Sequence, residues 1–219
     1  MSLKKTINVY ERLRDEIVRG TIHPEQAITE EWLKEHLDVS RTPIREALIR
    51  LQEDGLVTLI KNKGAFLTPF GITDIIDIFN LRVLLEGFAA RTCVDFIDQE
   101  KVQHIQDKLG ELAVVPERYD EKVKAGTDLH ALIIESAKNV RLTKITTTLQ
   151  AQVMWVRFQA ERIGRVDKSL HEHLKTTKAI LAHDRNQAEK SMRKHLENVL
   201  KDLIDPKNLK QLSIFPGRR

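Results

Sequence analysis

Ser40-Arg41-Thr42-Pro43-Ile44-Arg45-Glu46-Ala47-Leu48 is the stretch on which the reading of this chain turns. Pro43 is tolerated in a helix only in its first turn, where its missing N–H has no partner to lose. Ser40 or Thr42 offers a hydroxyl to cap that turn. Ile44, Ala47, Leu48 and Leu51 then recur at helical spacing and make one apolar face. Arg41 and Arg45, one turn apart, stand together on the other face. Such a helix packs on one side and presents two guanidiniums on the other. That suits a DNA major groove, because arginine pairs bidentately with guanine O6 and N7. The hydroxyls of Ser40 and Thr42 suit phosphate.

The flanks make this helix the third of a set. Upstream, Tyr10, Leu13, Ile17 and Val18 form an apolar helical face that Gly20 stops. Thr29, followed by Glu30 and Glu31, opens a short second helix ending near Leu37. Downstream, Gly55 ends the third helix. Leu56-Val57-Thr58-Leu59-Ile60 and Ala65-Phe66-Leu67-Thr68 follow, separated by Lys61-Asn62-Lys63-Gly64, which reads as a hairpin. Three helices and a hairpin in this order are a winged helix-turn-helix. Lys61, Lys63 and Gly64 at the hairpin tip then suit a wing laid on the DNA backbone or minor groove. The alternative, that Arg41 and Arg45 are ordinary solvated charges, loses most of its weight to that order of elements.

Net charge adds nothing to this. The 219 residues carry 36 Lys+Arg and 32 Asp+Glu. Residues 1–70 hold 11 of each, and the excess equals Lys207, Lys210, Arg218 and Arg219. A single cysteine, Cys93, excludes a disulfide framework. With no apolar signal region and no long apolar run, we expect a soluble protein of a reducing, cytoplasmic compartment, away from membranes.

Breakers become sparse after residue 71. Between 72 and 204 there is one proline, Pro116, and the glycines are Gly87, Gly110, Gly126 and Gly164. That composition predicts an all-helical antiparallel bundle with helices near 72–95, 98–112, 118–137, 141–163, 167–183 and 185–204. Asp184, with Gln187 three residues on, is a capping-box-like start for the last. We therefore expect a mostly α chain. Its domains are a winged helix-turn-helix over 1–70, a helical effector-binding and dimerisation domain over 71–205, and a loose basic tail over 206–219.

His130, His173 and His195 each lie in an apolar stripe of the bundle. His173 and His195 are each 11 residues from Asp184, where the last two helices turn. In an antiparallel hairpin both then stand about 16 Å from the turn, at equal height. Three neutral imidazoles meeting in a core make a candidate divalent-metal site, for zinc, nickel or manganese. The alternative is three hydrogen-bonded core histidines. The one carboxylate near them at helical spacing is Glu135, which projects elsewhere. Arg82 sits on the apolar face of its helix with Glu86 four residues on. It is either an intrahelical ion pair or a guanidinium available to a ligand carboxylate.

These residues also carry a resemblance. Residues 9–68 resemble the DNA-binding domain of the GntR family of bacterial transcription regulators. The match runs through Leu13-Arg14-Asp15-Glu16-Ile17, Thr29-Glu30, Leu37-Asp38-Val39-Ser40-Arg41-Thr42-Pro43-Ile44-Arg45-Glu46-Ala47-Leu48, Gly55-Leu56-Val57 and Gly64-Ala65-Phe66-Leu67. The resemblance implies DNA contacts at Ser40, Arg41, Thr42, Arg45 and Gly64. Glu31 stands where some relatives carry a phosphate-binding arginine. Residues 72–204 resemble the helical FCD effector domain of one GntR subfamily. The matching runs include Arg82…Leu85-Glu86…Ala89-Ala90, His130…Ser136…Asn139, Glu172-His173…Ala179-Ile180 and Met192…His195-Leu196. That resemblance implies a metal held by His130, His173 and His195 together with an aspartate four residues before the first. Gly126 stands there, and Asp128 lies on the wrong side of the helix, so a ligand is missing or water fills its place. It also implies that Arg82 faces an effector pocket.

The function expected is a sequence-specific transcription regulator. It would form a homodimer on an inverted repeat of double-stranded DNA, under control of a small organic acid. The alternatives are a DNA-binding dimer whose bundle is purely structural, and an all-α metalloenzyme.

Overall fold

The structure is a computed structural model that describes residues 2–22 and 26–212. Pro24 and residues 213–219 of the expected tail, with Pro216, Arg218 and Arg219, lie outside the described residues. The described residues divide into two compact units, one within 1–72 and 148–158, the other within 73–147 and 159–212.

In the first unit, α1 (Ser2–Val18), α2 (Glu30–Leu37) and α3 (Arg41–Glu53) precede β1 (Val57–Ile60) and β2 (Gly64–Leu67). Thr29 caps α2 by accepting from the Trp32 N–H at 3.1 Å. Asp38 leaves α2 in the left-handed region at φ 50°, which frees the chain to re-enter a helix at Arg41. Ser40 is the N-cap of α3, although its hydroxyl makes no capping hydrogen bond. α1 packs on α3, and Leu13 and Ile17 of the one and Ile44, Ala47 and Leu51 of the other are buried. The Tyr10 hydroxyl donates to Asp54 at 2.5 Å and ties α1 to the end of α3. β1 and β2 pair antiparallel from Val57↔Leu67 to Ile60↔Gly64. Gly64 needs its glycine: φ is +95°, and a Cβ there would stand 2.9 Å from the Ile28 carbonyl oxygen. Residues 148–158, which the sequence places in the helical domain, group with this unit, and Trp155 stacks on Phe70 at 4.9 Å.

The second unit is helical: α4 (Ile72–Cys93), α5 (Gln99–Ala113), α6 (Tyr119–Ser136), α7 (Val140–Thr148), α8 (Gln150–Arg162), α9 (Val166–Leu181), α10 (Arg185–Leu203) and α11 (Pro206–Leu209). The residues of α8 from 150 to 158 belong to the first unit. α9 is central, packed on α10, α5 and α6. Asp184 caps α10 as expected, its Oδ1 accepting from the Gln187 N–H at 2.9 Å.

Two expectations are corrected. The helix expected over 141–163 is two, α7 and α8, broken at Leu149. In the threonine run before the break, the Thr146 hydroxyl donates to the Leu142 carbonyl at 3.1 Å and Thr147 to the Thr143 carbonyl at 2.8 Å. Such back-bonding by β-branched residues competes with the helical ladder. The start of the expected tail is not loose. Asp205 caps α11 by accepting from the Lys207 N–H at 2.9 Å, and Pro206 occupies the first turn, where proline is preorganised.

Candidate functional site

Two sets of residues stand out, one in each unit. On α3 the apolar residues Ile44, Ala47, Leu48 and Leu51 are buried, so Ser40, Arg41, Thr42 and Arg45 are left exposed. The structure brings these four together on the outer side of the helix. Lys61 and Lys63 are exposed at the hairpin tip beside Gly64, and Asn62 takes φ 62° to make the turn. Neither arginine is simply solvated. The Arg45 Nε donates to Glu30 at 2.5 Å, and this contact, with the Glu30 charge, raises the Arg45 pKa above its ordinary value. The Arg41 Nη2 donates to Glu31 at 3.2 Å. The acids are the first two residues of α2, whose buried Leu33 and Leu37 fix it against the unit.

In the second unit, His130 on α6, His173 on α9 and His195 on α10 meet, all buried. The His173 Nε2 lies 3.1 Å from the His130 Nε2 and 3.2 Å from the His195 Nε2. One ligand nitrogen from each of the three lies within 4.8 Å of the others. The equal spacing of His173 and His195 from Asp184 thus yields contact. Two nitrogens bound at about 2.05 Å to a tetrahedral ion stand about 3.3 Å apart, so the donor set fits a divalent cation such as zinc.

Glu135, the one carboxylate that helical spacing singled out, is exposed, and the carboxylates that meet the histidines come from elsewhere in the bundle. Glu86 bonds the His130 Nδ1 through its Oε2, and Glu172 bonds the His195 Nδ1 at 2.8 Å. Each carboxylate is held in turn by an arginine. The Arg82 Nε donates to Glu86 at 2.6 Å, and the Arg165 Nη2 donates to Glu172 at 2.7 Å. Two Arg–Glu–His chains therefore converge on His173. A carboxylate accepts, so each Nδ1 carries the proton and each Nε2 of His130 and His195 presents a lone pair. A proton on the His173 Nε2 can be directed at one of those lone pairs, whereas a cation would take all three nitrogens.

Burial pushes the His195 pKa below its ordinary value; the bond and charge of Glu172 oppose this, and the charges of Arg82 and Arg165 add to it. For Glu172, burial works upward, but hydrogen bonds from His195 and Asn198, the His195 charge and a bond from Arg165 hold the carboxyl at about 2. Glu172 and Asn198 were legible as neighbours of His173 and His195 on their own helices, and Arg165 as two turns before Glu172. Their convergence was not.

Arg82 unites the two readings made of it. It pairs with Glu86, yet it is only 4% exposed and its buried Nη2 has no hydrogen-bond partner among the described residues. A charged donor left so carries a desolvation penalty that an anionic ligand would relieve. Gly126 stands against the His173 ring. An aspartate could not simply be placed there, because a Cβ at Gly126 would lie 2.6 Å from the His173 Cε1. The imidazole itself fills that space. Asp128 pairs with Lys124 at 3.3 Å and is no substitute.

Residues 5–67 match the family profile described as bacterial regulatory proteins, gntR family, and residues 77–198 match the FCD domain. The uncharacterized HTH-type transcriptional regulator YdhC of Bacillus subtilis strain 168 is 26% identical over 90% of this chain and 92% of its own length. The HTH-type transcriptional repressor RspR of Escherichia coli K12 is 24% identical over 87% of this chain and 85% of its own. The crystal structure of a putative transcriptional regulator GntR from Rhodococcus sp. RHA1 shares the fold, with a TM-score of 0.72 and 22% identity over 92% of this chain and 98% of that one. No helix among the described residues is long and apolar enough to cross a membrane. The family consists of regulators and not of enzymes, so the metalloenzyme alternative falls. With its winged helix-turn-helix matched at one end and its helical bundle at the other, the chain belongs to the GntR family of bacterial DNA-binding transcription regulators, in the branch that carries an FCD domain.

Proposed function

We propose that this regulator's affinity for DNA is set by a small organic acid, which binds in the helical domain with a divalent metal at His130, His173 and His195. The observation that carries the reading is the convergence of three imidazole nitrogens beside an arginine, Arg82, whose buried Nη2 has no hydrogen-bond partner among the described residues. Bound there, a divalent cation would supply the positive charge that attracts carboxylate oxygens. Arg82 would hold a further oxygen of the acid, and Glu86 and Glu172 would keep His130 and His195 in the ligating tautomer. The three neutral ligands bring no inner negative charge, which favours an anionic effector.

At the other end, Arg41 and Arg45 would read bases, Ser40 and Thr42 would meet phosphate, and Lys61, Lys63 and Gly64 would rest on the backbone. One recognition helix reads too few base pairs for genomic specificity, so a C2 homodimer on an inverted repeat completes the reading. Leu81, Leu84 and Phe88, exposed along one side of α4, support a dimer surface.

The test is elemental analysis of untagged protein purified without added metal, beside the His173→Ala and His195→Ala variants. Metal in the parent and its loss from both variants is the expected result. Equal content in all three, or none in the parent after zinc is offered, removes the metal from the reading.

A further inference from the structure

The two acids that open α2 hold the two arginines of α3 by different edges. Glu30 takes the Nε of Arg45, at 2.5 Å, and among the described residues it is that arginine's one hydrogen-bond partner. The second oxygen of Glu30 is 4.0 Å from the Arg41 Nε. Glu31 instead takes the Nη2 of Arg41, at 3.2 Å. A guanidinium is a rigid planar fork, and the pair of Nη nitrogens is the end that meets guanine O6 and N7 squarely. A carboxylate on Nε leaves that end open and fixes the direction in which it points. A carboxylate on Nη2 occupies it.

The supports differ as well. Arg45 is 64% exposed, while Glu30 is 26% exposed, on the first residue of a helix fixed by the Thr29 cap and by buried Leu33 and Leu37. An exposed ion pair of this kind adds little to folding. Its effect lies in ordering beforehand a side chain that must otherwise be ordered on binding.

We propose that Glu30 is a positioning residue for DNA readout: it aims the Nη fork of Arg45 at its base and so sets discrimination at that base pair. Glu31, holding Arg41 by the fork itself, competes with DNA of any sequence. The inference rests on the reading that Arg45 contacts a base.

The test uses the full-length protein and a duplex selected by it from a random pool, with every single-base variant of one half-site. Dissociation constants are measured for the parent and for Arg45→Ala, Glu30→Ala, Glu30→Gln and Glu31→Ala. Arg45→Ala should abolish discrimination at one base pair. Glu30→Ala should reduce discrimination at that same pair by about 2- to 10-fold, and at no other. Glu30→Gln, whose amide oxygen still accepts from Nε, should retain more of it. Binding to unrelated DNA should strengthen in all three acid variants, because a negative charge near phosphate is gone. Glu31→Ala should strengthen binding to every duplex alike.

If Glu30→Ala changes affinity for every duplex by the same factor, Glu30 is merely a repelling charge or a helix-end acid, and the proposal is overturned. Equal loss of discrimination in Glu31→Ala overturns the division of roles. If Arg45→Ala leaves discrimination intact, the base-reading role of Arg45 fails, and that arm involves neither acid.

Discussion

The molecule contains the same arginine–glutamate pair in two settings. Arg45 and Glu30 face solvent at the start of α3, with the arginine 64% exposed. Arg82 and Glu86 lie inside the bundle, 4% and 5% exposed, with His130 on the far oxygen of the carboxylate. The donor is Nε in both, at 2.5 and 2.6 Å. In water the pair is cheap to exchange, so the guanidinium can leave for another acceptor and return. In the core neither partner can be removed without stranding a charge, so the pair fixes geometry. One setting suits the DNA contact proposed for Arg45, the other the preorganised site proposed in the bundle.

The sharpest way to break the contrast is to delete one glutamate from each pair. Glu86→Ala strands the Arg82 guanidinium in the core and should cost about 3–5 kcal/mol in urea unfolding. Glu30→Ala should hardly move the same midpoint. Similar midpoints for the two variants would show that burial does not separate the pairs. The reciprocal effect belongs to DNA. Arg45→Ala should weaken binding to a selected operator by about 5- to 150-fold with little change in melting temperature. Unchanged operator affinity would remove Arg45 from the reading surface.

Two glycines extend the comparison between filled and open space. A Cβ at Gly126 meets the His173 ring at 2.6 Å, whereas at Gly110, also within a helix, nothing lies within 4 Å. Gly126→Ala should therefore displace the imidazole, at an overpacking cost of about 1–3 kcal/mol that the gain in helix propensity only partly offsets. It should lower metal uptake too, and Gly126→Asp should do the same. Metal uptake that rises in Gly126→Asp would show that the ring moves aside and the carboxylate ligates.

Acid should loosen the bundle in two stages, in protein freed of metal. The folded pKa of His195 lies below its ordinary 6.5, so as pH falls past that value the unfolded chain takes up a proton that the folded one refuses. Glu172 titrates at about 2 instead of 4.5, so its contribution is complete above pH 4.5 and is lost as pH falls towards 2. Both shifts make stability rise with pH. The melting temperature should fall gently below pH 6.5 and again below 4.5, and Glu172→Gln should flatten the lower stage. A melting temperature level from pH 7 to 5 would mean that His195 is not held neutral. The smallest effect expected is at the open glycine. Gly110→Ala should stabilise the protein by about 0.5–1 kcal/mol, since it gains helix propensity and meets nothing.

The α3 helix, its cap position and the hairpin were legible because each is specified by residues within a turn or two: Pro43 in the first turn, an apolar face every three to four residues, Gly64 at the bend. The pairing of His173 with His195 was legible for a similar reason. A hairpin of two helices turned at Asp184 leaves one free parameter, and equal spacing fixes it. The break at Leu149 was obscured because back-bonding threonines look like ordinary helix residues in a composition.

What remained hidden was whatever the chain assembles from distant parts. Glu86 and His130 are 44 residues apart, and Glu172 and His195 are 23 apart on different helices. Their meeting depends on how α4, α6, α9 and α10 pack, and periodicity says which face of a helix is buried without saying what it is buried against. Gly126 shows the same limit from the other side. The sequence records a missing side chain, and only packing shows that the His173 ring has taken its space. Local rules of capping, turn chemistry and apolar spacing act along the backbone and can be read from it. The partners of a buried charge are chosen by close packing and by the penalty for leaving a charge alone, and both exist only once the helices have come together.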